Sequence, residues 1–93
     1  MIRFTVTWLQ HAQDQLAELW IDRPYLRDAI TAAAAKIDVE LARDPEQKGT
    51  VSSGMREIIV YPLAVLFSIR EEDRLVEVAD VHDVLFQSNG AVS

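Results

Sequence analysis

The chain has 93 residues, enough for one domain with a single core, and it contains no cysteine. A disulfide framework, a thiolate metal site and a cysteine nucleophile are therefore excluded. Residues 1–50 carry six basic and eight acidic side chains, residues 51–93 carry three and seven, and the net charge is −6. This sign opposes binding to nucleic-acid phosphates, so we expect no direct nucleic-acid binding.

The N-terminal segment alternates between apolar and polar residues. Ile2, Phe4 and Val6 fall on one face, which predicts a short strand with one buried side. This strand follows the first Met directly, and no apolar stretch reaches the roughly 18 residues that a membrane span requires. We therefore expect a cytoplasmic protein with no membrane segment.

Two helices are predicted to follow this strand. Thr7 and Gln10 have the spacing of a capping box, which predicts that the first helix begins there. Asp22 is predicted to cap the second helix, with Pro24 in its first turn, and Asp44-Pro45 is predicted to end it. The apolar residues recur at helical intervals in both segments: Leu9, Ala12, Leu16, Leu19 and Trp20, then Leu26, Ile30, Ala33, Ala34, Ile37 and Leu41.

The second half switches to the alternation of strands after a segment, residues 46–54, that is predicted to be a loop. Residues 71–73 are acidic and predict a hairpin turn between two strands, and Tyr61-Pro62 predicts an earlier turn or bulge. Val81 breaks the alternation of the last strand, which predicts a bulge near Ala79-Asp80.

The predicted fold class is α+β, in the order β-α-α-β-β-β, with a helical hairpin packed on an antiparallel sheet. We expect a single domain over residues 1–93, with an ordered core over 2–86 and a flexible tail over 87–93. The predicted contact between helices and sheet uses Leu16, Leu19, Ile30, Ile37, Val65, Phe67 and Val78.

The ordered set of motifs resembles the RelE/ParE toxin superfamily over roughly residues 2–83. The opening is similar in Phe4, Val6, Trp8, Leu9, Ala12 and Leu16. The central hairpin is similar in Arg56, Ile58, Val60, Tyr61, Pro62, Leu63, Val65, Phe67 and Ile69, and the last strand in Val76, Val78, Val81 and His82. The resemblance implies a RelE/ParE-like fold, as in plasmid stabilisation proteins.

The resemblance also implies a function. Members of this superfamily are the toxin halves of type II toxin–antitoxin modules, and a cognate antitoxin neutralises each toxin by wrapping a segment over it. Some members cleave messenger RNA in the ribosome, and others poison DNA gyrase. The implied partners are therefore an antitoxin and either gyrase or the ribosome, with no cofactor.

Ribonuclease chemistry of this kind needs a base, an acid and a cation that stabilises the charged transition state. The candidates are Arg56, Arg70 and His82, with Glu57 as a further carboxylate. Each also has a structural interpretation: Arg56 can pair with a nearby carboxylate, Arg70 with the acidic turn, and His82 can be an ordinary surface histidine. The basic residues that usually follow in the family are absent, which favours a ParE-like toxin or an attenuated one.

Other residues favour contact with a protein. Trp8 and Trp20 stand at the ends of the first helix and, with Val84, Leu85 and Phe86, form the predicted partner-binding surface. No metal site is predicted, because the two histidines lie far apart in the sequence and no carboxylate cluster completes a ligand set. Three hypotheses remain open: a ParE-like toxin, a RelE-like ribosome-dependent endoribonuclease and a non-catalytic interaction module, so the sequence does not settle whether the chain is an enzyme.

Overall fold

Within residues 3–52 and 54–84, which the computed structural model describes, the chain forms five strands and two α-helices. The strands are β1 (Thr5–Trp8), β2 (Thr50–Ser52), β3 (Met55–Val60), β4 (Leu63–Arg70) and β5 (Leu75–Asp83). The helices are α1 (Gln10–Asp22) and α2 (Arg27–Leu41), and short 3-10 turns occupy Pro24–Leu26 and Pro45–Gln47.

The strands form one sheet in the order β1-β5-β4-β3-β2. Neighbouring strands are antiparallel except β1 and β5, which run parallel with Val6 opposite Val76 and Trp8 opposite Val78. The predicted α+β fold with a helical hairpin on a mostly antiparallel sheet is confirmed. Strand β2 is an addition, because it lies inside the segment 46–54 that was predicted to be a loop.

Both helices pack on the same face of the sheet and enclose the core. The predicted contact residues Ile30, Ile37, Val65, Phe67 and Val78 are all buried there. Leu16 and Leu19 are only half-buried and pack against the edge of this core. The two half-buried leucines show that the contact between the helices remains partly open on its outer side.

A bulge in β5 changes which residues in the second half of that strand face the helices. Leu66 lies opposite Asp80 and Phe67 lies opposite Val78, so Ala79 has no counterpart on β4. The extra residue restores the burial of Val81 on the helix side. This bulge confirms the position that the break in alternation predicted.

The predicted capping box at Thr7 and Gln10 is wrong. Thr7 lies in β1 opposite Glu77, and α1 begins at Gln10 after Leu9, which makes no side-chain capping bond. The backbone N–H of Leu9 instead donates to the carbonyl oxygen of Val78 at 2.9 Å. Pairing with β5 therefore prolongs the strand past the residue where local preference would begin the helix.

The predicted start of the second helix is also wrong. Asp22 ends α1, where the N–H of Arg23 donates to the carbonyl oxygen of Leu19 at 2.9 Å. Pro24 begins a 3-10 turn, and α2 begins after Leu26. The helix ends at Leu41, just before the predicted Asp44-Pro45 boundary.

A lysine closes the C-terminal end of α2. The Nζ atom of Lys48 donates to the carbonyl oxygens of Glu40 at 3.0 Å and Arg43 at 2.9 Å. A cation at this end of a helix satisfies carbonyl groups that have no partner within the helix. The contact also holds the segment that leads into β2 against α2.

We expect Gly49→Ala to destabilise the chain more than Gly54→Ala. Both glycines have positive φ, 67° for Gly49 and 81° for Gly54, so alanine costs about 1 to 2 kcal/mol at either position. A Cβ at Gly49 would also overlap the carbonyl oxygen of Glu57, whereas a Cβ at Gly54 meets no atom within 4 Å. Urea unfolding of both variants measures the difference, and equal losses of stability would contradict the packing of residue 49 against β3.

Candidate functional site

An apolar groove runs between α1 and α2 and has a volume of about 770 Å³. Trp8 stands at one end and Trp20 at the other, and we call this surface the tryptophan groove. Aliphatic side chains of both helices line it: Leu16, Ala17, Ile21, Ile30 and Ala34. The structure therefore brings the two predicted tryptophans into a single surface.

Two residues of α2 hold the tryptophans in place. The indole Nε1 of Trp8 donates to the Oδ1 atom of Asp38 at 2.6 Å, and that of Trp20 donates to the Oγ1 atom of Thr31 at 3.3 Å. Thr31 and Asp38 are seven residues apart, about 10 Å along the helix. The two indoles are thus fixed about two helical turns from each other.

Arg27 supports Trp20 from the side. Its Cζ atom lies 4.3 Å from the centroid of the indole ring, and its Nε atom donates to the carbonyl oxygen of Trp20 at 2.7 Å. A guanidinium over an indole face is attracted by the ring quadrupole. Trp20 nevertheless remains 43% exposed, which leaves surface for a partner.

Val84, a further residue of the predicted partner surface, does not line this groove. Val84 is half-buried at the end of β5, where its N–H donates to the carbonyl oxygen of Pro62 at 3.0 Å. Leu85 and Phe86 lie outside the residues that the structure describes. Of the described residues of the predicted partner surface, Trp8 and Trp20 line the tryptophan groove.

The catalytic candidate Arg56 lies on the helix side of the sheet. It is directly opposite Phe67, a buried core residue, and opposed residues of an antiparallel pair share a face. Its Nη1 atom donates to the carbonyl oxygen of Lys48 at 3.3 Å. Arg56 thus supports the segment between α2 and β2.

The other two candidates belong to the opposite surface, which we call the open face of the sheet. Alternation along the strands places the following residues there: Glu57, Ile59, Ala64, Leu66, Ser68, Arg70, Glu77, Asp80 and His82. Arg70 binds Glu77, with 3.1 Å between Nε and Oε1. The predicted pairing of Arg70 with the acidic turn is therefore wrong, because Arg70 pairs across the strands with Glu77 of β5.

His82 lies between two carboxylates on this face. Its Nε2 atom is 3.7 Å from Glu57 on β3, and its Nδ1 atom is 3.4 Å from Asp80 on β5. The imidazole is half-buried, with 31% of the side chain exposed. The immediate surroundings of the imidazole are therefore anionic.

The structure does not bring the three catalytic candidates together. Arg56 is on the helix side, while His82 is on the open face opposite Ala64. Arg70 lies six residues along β4 from Ala64, which is about 20 Å. No cluster of the three candidates faces a single phosphate.

Gln15 is a structural residue that the sequence analysis missed. Its Oε1 atom accepts the N–H of Val81 at 2.8 Å, and its Nε2 atom donates to Asp80 at 2.8 Å. It thereby covers the edge of β5 beyond the end of β1. Gln15 lies three residues after Ala12 and four before Leu19, so it is a polar residue on the apolar stripe of α1. A polar residue on that stripe is the sequence feature that could have identified it.

An ion pair with a buried carboxylate joins the end of α1 to β5. The Nε atom of Arg23 lies 2.9 Å from the Oδ2 atom of Asp83, and the Asp83 side chain is only 4% exposed. The hydrogen bond to Asp83 raises the pKa of Arg23. No local sequence pattern predicts this ion pair, because Arg23 and Asp83 are 60 residues apart.

Over residues 3–52 and 54–84, no group of three or more histidine, cysteine, aspartate or glutamate side chains is arranged to hold a metal ion. In the same part of the chain, no helix is long and apolar enough to cross a membrane. His11 approaches Asp80 to 3.7 Å, but this pair by itself forms no ligand set.

The fold is shared with chains of two toxin–antitoxin complexes. The chain superposes on one from the RelBE2 complex of Mycobacterium tuberculosis with a TM-score of 0.66 and 22% identity, over 89% of this chain and 93% of that one. For the chromosomal ParDE system of P. aeruginosa the TM-score is 0.69 and the identity 12%, over 89% and 98%. The chain therefore has the fold of the RelE/ParE toxins.

A further similarity involves a larger protein, TrmO from Pseudomonas aeruginosa. The TM-score is 0.57 and the identity 26%, over 88% of this chain but only 36% of TrmO. No protein-family model matches the chain, and no curated protein matches it.

We expect Glu46→Gln to stabilise the chain at pH 7 and to have little effect near pH 4. A hydrogen bond to Glu71, with smaller contributions from desolvation and the charge of Glu71, raises the pKa of Glu46. A raised carboxyl pKa contributes stability below the ordinary value of about 4.3, and that stability is lost as pH rises through the raised pKa. Glutamine keeps a hydrogen-bond donor at every pH.

Thermal unfolding of both proteins across this range tests the prediction. Glu72→Gln is the control, because it removes one exposed carboxylate from the turn that contains Glu71. A melting temperature that rises equally in Glu46→Gln and Glu72→Gln would assign the effect to net charge. The contact between Glu46 and Glu71 would then not be its source.

Proposed function

We propose that this chain is the toxin-like component of a type II toxin–antitoxin system, ParE-like, which acts in the cytoplasm by protein contact and is neutralised by a cognate antitoxin. The observation that carries this proposal is the tryptophan groove, an apolar surface with two rigid aromatic ends. The shared fold with chains of the RelBE2 and ParDE complexes supports it. Gyrase poisoning and an attenuated toxin are both versions of this function.

The groove suits an amphipathic helix of the antitoxin. Its two indoles are held by residues seven apart on α2, and a helical partner presents apolar anchors at the same spacing. Both indole N–H groups already have hydrogen-bond partners on α2. A bound helix would therefore bury the faces of the rings without breaking those hydrogen bonds. Binding there would thus gain mostly from apolar area.

Contact with a protein is favoured over cleavage of RNA by the arrangement of the charged residues. Arg56 is on the helix side, and Arg70 is engaged by Glu77. The carboxylates of Glu57 and Asp80 flank His82, and they repel a phosphate backbone. The residues that a ribonuclease would use are therefore present but dispersed.

We expect Trp20→Ala to weaken binding of the antitoxin by about 30-fold, a typical loss for a tryptophan anchor. Tyr25→Ala is the matched control, because Tyr25 is 76% exposed and is not among the residues that line the groove. Co-expression with the neighbouring gene product, followed by size-exclusion chromatography and titration, measures the effect. Independent elution of the two proteins at micromolar concentration would argue against an antitoxin partner.

We expect growth arrest on induction to persist in His82→Ala, because contact with a protein target requires no proton transfer. Wild type, Arg56→Ala and His82→Ala are induced without antitoxin, and ribosome-dependent cleavage of transcripts is assayed in parallel. Arg3→Ala serves as a control for the loss of one exposed arginine. All four proteins should leave transcripts intact.

The same experiment separates the other two hypotheses. Transcript cleavage by the wild type that disappears in Arg56→Ala or His82→Ala would establish the RelE-like endoribonuclease. Binding of an antitoxin without growth arrest would leave either an attenuated toxin or a plain interaction module.

A further inference from the structure

The α2 side of the tryptophan groove has an ordered pattern of residues. Four residues of α2 share one face of the helix, at intervals of four, three and four: Arg27, Thr31, Ala34 and Asp38. Thr31, Ala34 and Asp38 line the groove, and Arg27 contacts Trp20 at its end. The middle of this face is therefore small and uncharged, while its two ends carry charges of opposite sign.

The cation at the Trp20 end is held in place without an ion pair. The Nε atom of Arg27 donates to the carbonyl oxygen of Trp20, and the guanidinium lies 4.3 Å from the centroid of the indole. Within residues 3–52 and 54–84, no carboxylate lies at ion-pair distance from Arg27. The N–H groups of its two Nη atoms therefore suit a carboxylate that a partner supplies.

The carboxylate at the Trp8 end is held in a similar way. The Oδ1 atom of Asp38 accepts the indole N–H of Trp8 at 2.6 Å, and the residue is exposed. In the part of the chain that the structure describes, no basic side chain lies at ion-pair distance from Asp38. Its Oδ2 atom can therefore accept a hydrogen bond from a cation of the partner.

The distance between the two charges matches the repeat of a helix. Arg27 and Asp38 are eleven residues apart, which is about 16 Å along the axis of α2. Eleven residues also make three helical turns to within about 20°. A helix that lies along α2 thus presents side chains eleven positions apart to both charges, whereas an extended chain covers the same distance in about five residues.

We propose that the helix bound in the tryptophan groove carries a basic and an acidic residue eleven positions apart on its apolar face, the basic one against Asp38 and the acidic one against Arg27. This inference rests on the proposed function, since the helix is that of the antitoxin. Between its two charges the helix is apolar, because it faces the aliphatic lining of the groove. Ala17 and Ala34 are small and permit its close approach.

The shape of the groove favours a single helix over a second copy of this chain. An antiparallel α2 of a second copy would also set Asp38 against Arg27, so the charges alone suit both occupants. Two copies, however, would place one concave surface against another, whereas a single helix is convex and fills the groove of about 770 Å³.

The two ion pairs fix the position of the helix along the groove. A helix shifted by one turn would keep most of its apolar contacts, but both of its charges would move about 5 Å from their partners. Charged groups at the border of an interface contribute to specificity more than to affinity. The charges thereby select an antitoxin whose charged residues have this spacing.

Substitutions that remove one charge at a time test the proposal. Asp38→Asn keeps an oxygen that accepts the indole N–H of Trp8, so it removes the charge and leaves the tryptophan held. We expect Asp38→Asn and Arg27→Gln each to weaken binding of the neighbouring gene product about fivefold, which is typical of a partly exposed ion pair, and the loss should shrink as salt is raised.

Glu72→Gln and Lys36→Gln are the matched controls for the loss of one carboxylate and one cation. Both side chains are exposed and neither lines the groove, so both variants should bind as tightly as the wild type at every salt concentration. Circular dichroism verifies that all four variants are folded. Equal losses in a variant and its control would assign the effect to net charge and overturn the proposal.

Double-mutant cycles with the partner separate an ion pair from a structural effect. Each basic residue in the helical segment of the neighbouring gene product is replaced by glutamine and combined with Asp38→Asn. Each acidic residue there is replaced by glutamine and combined with Arg27→Gln. We expect one basic residue to couple to Asp38, and one acidic residue eleven positions away to couple to Arg27.

The remaining outcomes separate this proposal from the proposed function. No coupling at either end would overturn the proposal, and coupled residues about five positions apart would overturn it in favour of an extended segment. A dimer of the chain alone that Asp38→Asn dissociates in sedimentation equilibrium would identify a second copy as the occupant instead. Binding that depends on Trp20 but on neither charge would overturn only this inference, whereas a wild type that does not bind the neighbouring gene product would contradict the proposed function as well.

Discussion

Hydrogen bonding along both edges of β5 is the constraint on which the rest of the structure depends. One edge pairs with β4 on both sides of the bulge at Ala79, and the other is covered first by β1 and then by Gln15 of α1. The parallel register that sets Trp8 opposite Val78 also places Leu9, whose N–H bonds to Val78, at the start of α1. One wall of the tryptophan groove is therefore a consequence of sheet pairing.

The sequence predicted the features that depend on local burial. The buried alternation of Val65 and Phe67 marked the helix side of β4, and the break at Val81 located the bulge. These predictions succeeded because a strand with one buried face must alternate, and any departure from alternation requires an extra residue. The same reasoning placed Trp8 and Trp20 at helix ends, but it could not show that they face one groove.

Two of the features that the sequence did not predict involve partners that are distant in the sequence. Thr7 has the local preference of a helix cap, yet it pairs with Glu77, because the hydrogen bonds of the sheet prevail over a capping preference worth about 1 kcal/mol. Strand β2 is three residues long and has no periodicity to detect. The ion pair of Arg23 and Asp83 exists only because the fold brings the end of α1 to the end of β5.

The open face and the tryptophan groove differ in which existing contacts a binding partner would have to break. On the open face, Arg70 is engaged by Glu77 and His82 is flanked by carboxylates, so a phosphate must compete with contacts that are already formed. In the groove, the polar atoms of both indoles are satisfied by α2 while the apolar ring surfaces remain available. A partner that binds in the groove therefore gains apolar burial without breaking hydrogen bonds, whereas a nucleic acid on the open face gains charge contacts only by displacing others. This asymmetry, more than the net charge itself, is the physical basis for proposing protein contact over nucleic-acid binding.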